Sequence, residues 1–269
     1  MESYDISIII PSKNNDIKLK KLIESIKKNK NINFEIIVID NFSNDDTLEY
    51  CNEMNVKILQ NNFKRAKAKN YGAKISKSNY LLFLDSDMEI SNNLLYNCIE
   101  MLKIYDALCI KEKSIGNFLI SKIRNFEISG NFYDPYLNVA RCFRREIFLK
   151  CNGYDESLEA GEDLMLQKCL LNNKINLGWI DSGIVHDESN LNLIQFLKKQ
   201  KLYSQYLKTI KKDEFWLEVI SLRRRLKNLK KSVKNNGFIG SFFLLFMVFI
   251  FRIIEIMFMM ISRGERSDE

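Results

Sequence analysis

The chain has 269 residues, of which 46% are hydrophobic, so it is long enough for one large globular domain and an additional segment. Its formal net charge of +7 comes from one stretch, because residues 198–234 contain 13 Lys and Arg against 3 acidic residues and the remainder is slightly acidic. One histidine and six cysteines without CxxC spacing argue against a zinc site. The cysteines are interpreted as free, mostly buried thiols in a reducing compartment.

The first 110 residues alternate short apolar runs with segments of helical character. Strands are predicted at the apolar runs 6–12, 34–40, 56–60, 80–84 and 107–110. Helices are predicted around 19–26, after the capping residues 43–47, at 65–75 and at 91–104. Strands that are apolar throughout and alternate with helices indicate a mostly parallel sheet covered by helices on both faces.

The second half of the chain is less regular. Residues 111–141 are predicted to form a partly irregular stretch, and a glycine-punctuated loop then leads into an apolar helix within 153–171. Short strands are predicted at 174–180 and 182–188. The predicted organisation is a globular domain, a basic amphipathic helical segment, an apolar helix and a polar tail, at residues 1–190, 191–235, 236–262 and 263–269.

The apolar helix near the C-terminus has one polar stripe. Residues 238–251 carry no charge, and the apolar run resumes after Arg252 and Glu255. On a helix these two residues line up with Ser241 and Val248, in a stripe that we expect to face protein, either of this chain or of a partner or second copy. The length fits a membrane span and the charge pair opposes it, so spanning the membrane and lying on its surface both remain open.

The basic segment that precedes this helix predicts contact with anionic lipid. Its apolar faces and its position beside the apolar helix argue against nucleic acid as the partner. If the helix spans, the excess of Lys and Arg places the large domain on the cytoplasmic side. We therefore expect the protein at the cell membrane, with its globular domain in the cytoplasm.

Polar residues follow three of the predicted strands at the points where those strands end. Pro11, Ser12 and Lys13 close the first strand, Asp40 closes the second, and the sequence Asp-Ser-Asp at 85–87 follows the fourth. In open α/β sheets, ligands bind beyond the carboxyl ends of the strands. This edge of the sheet is therefore the predicted ligand site.

Four segments carry a resemblance to a known family: SIIIPSKN, EIIVIDNFSNDDT, RAKAKNYGAKISKSNYLLFLDSD and CFRREIFLKCNGYDESLEAGEDLML. Each is weak alone, but together, in this order and at this spacing, they resemble the family 2 glycosyltransferases over residues 6–188. The resemblance implies a GT-A fold, which is a Rossmann-like α/β domain with a mostly parallel sheet. It also implies transfer of a sugar from a nucleotide-diphosphate sugar, by a metal-assisted displacement with inversion.

The resemblance implies a metal site at the end of the fourth strand. Asp87 would bind a divalent cation, Mn²⁺ or Mg²⁺, and Asp85 would contact the ribose or the metal shell. Such a cation stabilises the departing diphosphate, and hard cations prefer carboxylate oxygens. His186 would complete the metal shell. The alternatives are an acidic cap on the following helix for the two aspartates and an ordinary structural role for the histidine.

The resemblance also implies a nucleotide site. Asp40 would read the base, and the loop of residues 11–13 would wrap around it, with a plain turn as the alternative for that loop. Arg65 and Asn70 lie on the predicted helix that runs beside the nucleotide in the family. Lys69, on the same helix, is predicted to be a solvated charge.

Glu162 and Asp163 match the acidic pair of the family's acceptor site. Inverting transfer requires a base that takes the proton from the attacking hydroxyl, and Asp163 is predicted to be that base, with Glu162 orienting it. The alternative is an acid pair that favours a helix N-terminus. The sequence departs from the family at Met165, where an acid is common, and at Cys169, where an arginine is frequent, so the acceptor is less well defined.

The apolar C-terminal helix suggests a lipid-linked glycan as acceptor, with a polyprenyl phosphate as the alternative. A sugar nucleotidyltransferase would carry a glycine-rich loop after the first strand, and the sequence PSKNND contains no glycine. A non-catalytic nucleotide-sugar-binding protein would be expected to lack the acids, all of which are present. The function predicted from the sequence is therefore glycosyl transfer.

Overall fold

The computed structural model describes residues 4–116, 118–158, 160–190, 194–198 and 213–264. The described residues fall into two compact units. The first contains those of 1–112 and 139–187, and the second those of 113–138 and 188–269. Residues 113–138 therefore group with the C-terminal part of the chain, although the sequence places them inside a domain of residues 1–190.

The strands are β1 (Ile6–Ser12), β2 (Phe34–Asp40), β3 (Lys57–Gln60), β4 (Tyr80–Phe83), β5 (Met88–Ile90), β6 (Ala107–Gly116), β7 (Ala140–Arg144) and β8 (Leu177–Glu188). The helices are α1 (Asp16–Lys27), α2 (Thr47–Glu53), α3 (Arg65–Ile75), α4 (Leu94–Leu102), α5 (Phe118–Asn131), α6 (Arg145–Lys150), α7 (Glu162–Asn172), α8 (Glu214–Ile220), α9 (Leu222–Asn236) and α10 (Phe238–Gly264). The predicted bounds of β1, β2 and α3 agree with the structure.

The strands form one sheet in the order β3-β2-β1-β4-β7-β6-β8-β5. The N-terminal strands pair in parallel, and their register aligns Ser12 with Asp40 and Asp40 with Gln60, so their ends meet at one edge. The pairs β4–β7, β6–β7 and β5–β8 are antiparallel. The prediction of a mostly parallel sheet is therefore wrong for the second half, where the sheet is mixed.

Strand β1 is apolar on both sides because helices cover both faces of the sheet. Ile8 and Ile10 pack in one cluster with Leu22 of α1. Ile9 faces the other side, in the cluster that contains Phe83. Helix α3 lies very close to β1, since a Cβ added at Gly72 would be 2.4 Å from Cγ2 of Ile9. This close packing determines where the side chains of α3 point.

The stretch 111–141, predicted to be partly irregular, is regular. Strand β6 continues to Gly116, and α5 follows from Phe118 to Asn131. In the second unit, Ile123 and Phe126 of α5 are buried together with Val248 of α10. The helix is stabilised by residues more than a hundred positions away, which is why its short local pattern does not reveal it.

The second unit contains helices α5, α8, α9 and α10. Ser241 and Val248 are buried, as expected for the stripe that faces protein. The side chains of Arg252 and Glu255, and most of the predicted amphipathic segment before residue 213, lie outside the described residues. Among the helices that are described, none has the length and apolar character needed to cross a membrane.

The prediction of free thiols is wrong for two of the cysteines. Cys151, just after α6, forms a disulfide with Cys169 of α7, with the two Cα atoms 5.8 Å apart. The loop between the two helices turns the chain back, and this proximity is not visible in the spacing of the two residues. The other cysteines are buried thiols, as predicted, at positions 51, 98, 109 and 142.

Candidate active site

The two aspartates after β4 lie in a tight turn that leads into β5. Met88 N donates a hydrogen bond to Asp85 O at 3.2 Å, which folds the chain back between the strands. Strand β5 pairs antiparallel with β8 and aligns Met88 with His186. This register brings His186 Nε2 to 3.2 Å from Asp87 Oδ1. The structure therefore brings together the aspartate and the histidine that the sequence proposes as metal ligands.

Asp85 is held by cations. Its Oδ2 lies 3.3 Å from Arg141 Nη1, and its Oδ1 lies 3.6 Å from Lys69 Nζ. Burial opposes ionisation of this carboxyl, but Lys69, Arg141 and Arg65 outweigh it and hold the pKa of Asp85 well below its usual range. Asp85 is thus an anion fixed between arginine and lysine.

His186 lies between two carboxylates. Besides Asp87 at Nε2, Glu112 Oε2 lies 3.5 Å from Nδ1. Burial lowers the pKa of the imidazole, but the carboxylates of Asp87 and Glu112 outweigh it and raise the pKa to about 9. The histidine is therefore an imidazolium at neutral pH, and it must lose a proton before it can ligate a metal.

The resemblance implies a divalent cation beside these donors. Asp87 and His186 offer one carboxylate and one imidazole side by side. Among the described residues, no group of three or more His, Cys, Asp or Glu side chains is arranged to hold a metal ion. The predicted trio is not assembled, because Asp85 is paired with Arg141 and Lys69 instead. The donors fit a cation that takes its remaining ligands from a bound diphosphate or water.

Lys69 is the largest departure from the sequence prediction. It is 0% exposed, not solvated, because the close packing of α3 on the sheet carries it into the site. Its Nζ lies 3.4 Å from Asp163 Oδ1, 3.6 Å from Asp85 Oδ1 and 3.7 Å from Glu162 Oε1. Burial lowers the pKa of this ammonium, but Asp163 and Asp85 outweigh it and raise the pKa above the usual lysine value. Lys69 is a buried cation shared by three carboxylates.

The acidic pair begins helix α7. Gly161 precedes it at φ 83°, a left-handed conformation that favours glycine, and Glu162 and Asp163 lie in the first turn. Glu162 is buried and forms a two-point ion pair with Arg65. Arg65 Nε lies 2.7 Å from Glu162 Oε1, and Arg65 Nη2 donates to Glu162 Oε2 at 3.1 Å. Asp163 is partly exposed, and it is the carboxylate of the pair that a ligand can reach.

The loop that follows β2 is closely hydrogen-bonded. Asp40 is fully buried, and its carboxylate accepts hydrogen bonds from Ser43 N at 2.9 Å, from Gln60 Nε2 at 3.0 Å and from the Ser43 hydroxyl. The Ser12 hydroxyl is buried beside this loop without a partner, and Lys13 is exposed. Asp40 therefore organises the loop, and its contact with a base stays a prediction.

Two residues predicted to contact the nucleotide have other partners. Arg65 pairs with Glu162, the first residue of α7. Asn70 donates to Tyr154 O at 2.8 Å and to Glu156 Oε1 at 3.0 Å, and it accepts from Tyr154 N at 2.9 Å. Asn70 thus ties α3 to the loop before α7, with both amide hydrogens engaged.

Three residues of the site were missed by the sequence reasoning. Arg141 joins Asp85 to Glu112, and the ring of Tyr154 centres 4.9 Å from Lys69 Nζ. Arg141 lowers the pKa of Glu112 to about 2 although burial opposes this shift. The available signal for Arg141 was an arginine between apolar residues in the run ARCF, which must have an acidic partner if the run is a buried strand.

Arg144 ends β7 and Arg145 begins α6, and both donate hydrogen bonds to backbone carbonyl oxygens. Arg144 donates to the carbonyl oxygens of Leu102 and Tyr105 at 2.9 and 3.2 Å. Arg145 donates to that of Ala73 at 2.7 Å and to other carbonyls nearby. Both are structural residues in this fold.

The fold and the site together define a class. It is an α/β domain whose parallel strands deliver acids to one sheet edge, where ligands of such sheets bind. A partly exposed carboxylate lies there beside a buried cation, and an aspartate–histidine pair is next to it. The model of the family described as Glycosyl transferase family 2 matches residues 7–150, and the chain belongs to this family.

Individual relatives are similar over parts of their length. The chain is 31% identical to the glycosyltransferase GlyG of Streptococcus pneumoniae over 48% of this chain and 42% of that protein. It is 33% identical to the Escherichia coli UDP-Glc:alpha-D-GlcNAc-diphosphoundecaprenol beta-1,3-glucosyltransferase WfgD, over 50% of this chain and 53% of the other. The matched part is thus about half of these relatives' length.

Solved structures share the fold. The complex of Staphylococcus aureus TarS 1-349 with UDP-GlcNAc superposes with a TM-score of 0.58 at 20% identity, over 82% of this chain and 72% of that one. The mannosyltransferase PcManGT of Pyrobaculum calidifontis, in complex with GDP-Man and Mn²⁺, superposes with a TM-score of 0.61 at 12% identity. The superposition covers 100% of this chain and 89% of that one. This likeness establishes a GT-A-like α/β fold.

Proposed function

We propose that the protein transfers a sugar from a nucleotide-diphosphate sugar to a hydroxyl of a lipid-linked glycan, with inversion at the anomeric carbon. The observation that carries the proposal is the convergence of Asp85, Glu162 and Asp163 on the buried Lys69. It joins the acid predicted to contact the donor to the acids predicted to receive the acceptor. Membership of the family and the UDP-GlcNAc complex of TarS support a nucleotide-sugar donor.

On the donor side, Asp87 and His186 would hold a divalent cation. A mixed oxygen and nitrogen donor set suits Mn²⁺ better than Mg²⁺, and the structurally similar PcManGT was solved with Mn²⁺. Such a cation, when bound, neutralises charge on the departing diphosphate. Asp85, paired with Arg141, would accept a hydrogen bond from a hydroxyl of the ribose.

On the acceptor side, Asp163 is the base. Its carboxylate lies 3.4 Å from Lys69 Nζ and is partly exposed, whereas Glu162 is buried and paired with Arg65. The attacking hydroxyl gives its proton to Asp163 as its oxygen bonds to the anomeric carbon, and the bond to the diphosphate breaks on the opposite face. Glu162 and Arg65 hold the start of α7 in place, so the base keeps its position.

The nature of the acceptor is inferred from the relatives. WfgD is named for a sugar acceptor on diphosphoundecaprenol, and TarS of S. aureus for poly(ribitol-phosphate). Both acceptors carry phosphate. A cavity of about 290 Å³ beside the base has Lys64, Arg65 and Glu162 in its lining, so its formal charge is net positive. This lining is suited to the phosphate of such an acceptor.

The test is a transfer assay with purified full-length protein, Mn²⁺ and a panel of nucleotide sugars, with alkyl-diphosphate-linked GlcNAc as acceptor. Wild-type protein should form product with at least one donor. Asp87→Asn should lose most of this activity. Glu100→Gln changes a partly exposed acid that pairs with Lys103 on the surface, and it should retain the activity. Equal turnover of wild type and Asp87→Asn would refute the donor-site assignment.

A further inference from the structure

One face of helix α10 is apolar and exposed. Phe242, Phe246, Phe249, Ile253 and Met257 follow at intervals of three or four residues, so they form a stripe about 80° wide on a helix that turns 100° per residue. Phe242 is 75% exposed, Phe246 57% and Phe249 63%. Single exposed apolar side chains are ordinary, but a contiguous stripe of large ones marks an interaction surface.

The opposite face of α10 is covered by its own unit. Val248 packs with Ile123 and Phe126 of α5 in one buried cluster. Ser241 is buried, and its hydroxyl donates to Gly237 O at 2.5 Å. The helix is therefore fixed by its inner face, and the aromatic stripe is directed outward.

Helix α9 leads into α10 through the single residue Gly237 and is strongly basic. It contains seven Lys and Arg and no acidic residue. The exposed cations are Arg223, Lys227, Lys230, Lys231 and Lys234. A hydrophobic stripe and a cationic helix thus follow one another in the same unit, and a binding partner has to suit both.

We propose that the aromatic stripe of α10 and the cations of α9 bind the surface of an anionic phospholipid membrane, with α10 lying in the interface. The phenylalanine rings would enter the boundary between headgroups and acyl chains, and the Lys and Arg side chains would meet lipid phosphates. A second copy of the chain could cover the stripe, but two copies face to face would also bring two basic helices together. Electrostatic repulsion opposes that arrangement.

No residue of this surface belongs to the candidate active site, and the proposed membrane binding goes beyond sugar transfer. Binding to vesicles can be measured without donor or acceptor, so the proposal stands or falls independently of the proposed reaction. If the acceptor is lipid-linked, such a surface would bring the enzyme to the membrane in which the acceptor resides.

The experiment is co-sedimentation of the full chain with vesicles of phosphatidylcholine alone or with added phosphatidylglycerol. The test variant replaces the three exposed phenylalanines with serine: Phe242→Ser, Phe246→Ser and Phe249→Ser. The matched control replaces three comparably exposed apolar residues of the first unit: Tyr96→Ser, Ile104→Ser and Leu149→Ser. A third variant, Lys230→Gln with Lys231→Gln and Lys234→Gln, reduces the charge. Circular dichroism verifies that each variant is folded.

Wild type and control should bind anionic vesicles. The phenylalanine variant should bind them with an affinity lower by a factor of about ten or more. The lysine variant should have a lower affinity for anionic vesicles than wild type. Added salt should likewise weaken the binding of wild type to these vesicles. Equal binding of wild type and the phenylalanine variant would overturn the proposal. A second outcome would also overturn it: light scattering shows that the wild type is a dimer and the phenylalanine variant a monomer, while both bind vesicles equally.

Discussion

Replacing Lys69 with methionine removes the cation that three carboxylates share. The side chain is 0% exposed and lies 3.4 to 3.7 Å from Asp163, Asp85 and Glu162. Methionine fills a similar volume, so the main loss is electrostatic. Breaking a buried ion pair by removing one partner costs about 3–5 kcal/mol, because the remaining charge stays buried and uncompensated. Arg65 and Arg141 compensate part of that charge, so we expect a loss of about 3 kcal/mol in the free energy of unfolding.

Urea denaturation at pH 7 measures this loss, with Lys67→Met as the control. Lys67 lies on the same helix and is exposed, with its Nζ 4.7 Å from the ring centre of Phe63. We expect Lys67→Met to change stability by less than about 0.5 kcal/mol. A Lys69→Met variant as stable as this control would refute the assignment of Lys69 as a buried, shared cation.

The pH dependence gives an independent reading of the same contact. The pKa of Lys69 is raised in the folded protein, so its stabilisation is fully present below 10.5, the ordinary lysine value. It is lost as the pH rises through the higher folded-state value. The pKa of Asp85 is lowered, so its stabilisation is present above 3.8 and is lost as the pH falls through the folded-state value. The stability difference between wild type and Lys69→Met should therefore be constant near neutrality and shrink at both extremes.

Three further predictions concern other parts of the first unit. NMR titration of the metal-free protein should give its only histidine, His186, a pKa of about 9, and Asp87→Asn should bring that value down toward 6.5; an unshifted value would contradict the contact between them. Cys151→Ser should lower the free energy of unfolding of the oxidised protein by about 3 kcal/mol, since it opens a loop of sequence separation 18. Equal urea midpoints for this variant and wild type would argue against the disulfide. Gly72→Ala should destabilise by about 1–3 kcal/mol, because the added methyl meets β1 at 2.4 Å; thermal melting without a shift would contradict that packing.

Much of the sheet edge could be predicted from local sequence. Continuous apolar runs place β1 and β2, and an acid at the end of a buried strand points to a ligand, which is why Asp85 and Asp87 were found. His186 was proposed only through the family resemblance, and the antiparallel register of β5 with β8 then places it against Asp87. These features depend on residues close to one another in sequence or on a known order of motifs.

The residues and the helix that the sequence did not predict correctly depend on tertiary contacts. Lys69 looks like one more surface lysine until α3 is packed on β1, and only then does its side chain reach three acids. Arg141 and Glu112 belong to neighbouring strands whose antiparallel pairing is not encoded in local periodicity. Helix α5 is buried by residues near the C-terminus, and its own sequence is too mixed to predict it. In each case the partner is distant along the chain.

The central claim is that Asp163 is the base of a sugar transfer, and it is tested most directly by separating donor binding from transfer. Asp163→Asn keeps the shape of the side chain and removes its charge. We expect calorimetry to give this variant a donor affinity within a few-fold of wild type, while the rate of transfer to acceptor falls by about 10²-fold or more. A variant that transfers sugar at the wild-type rate would contradict the account.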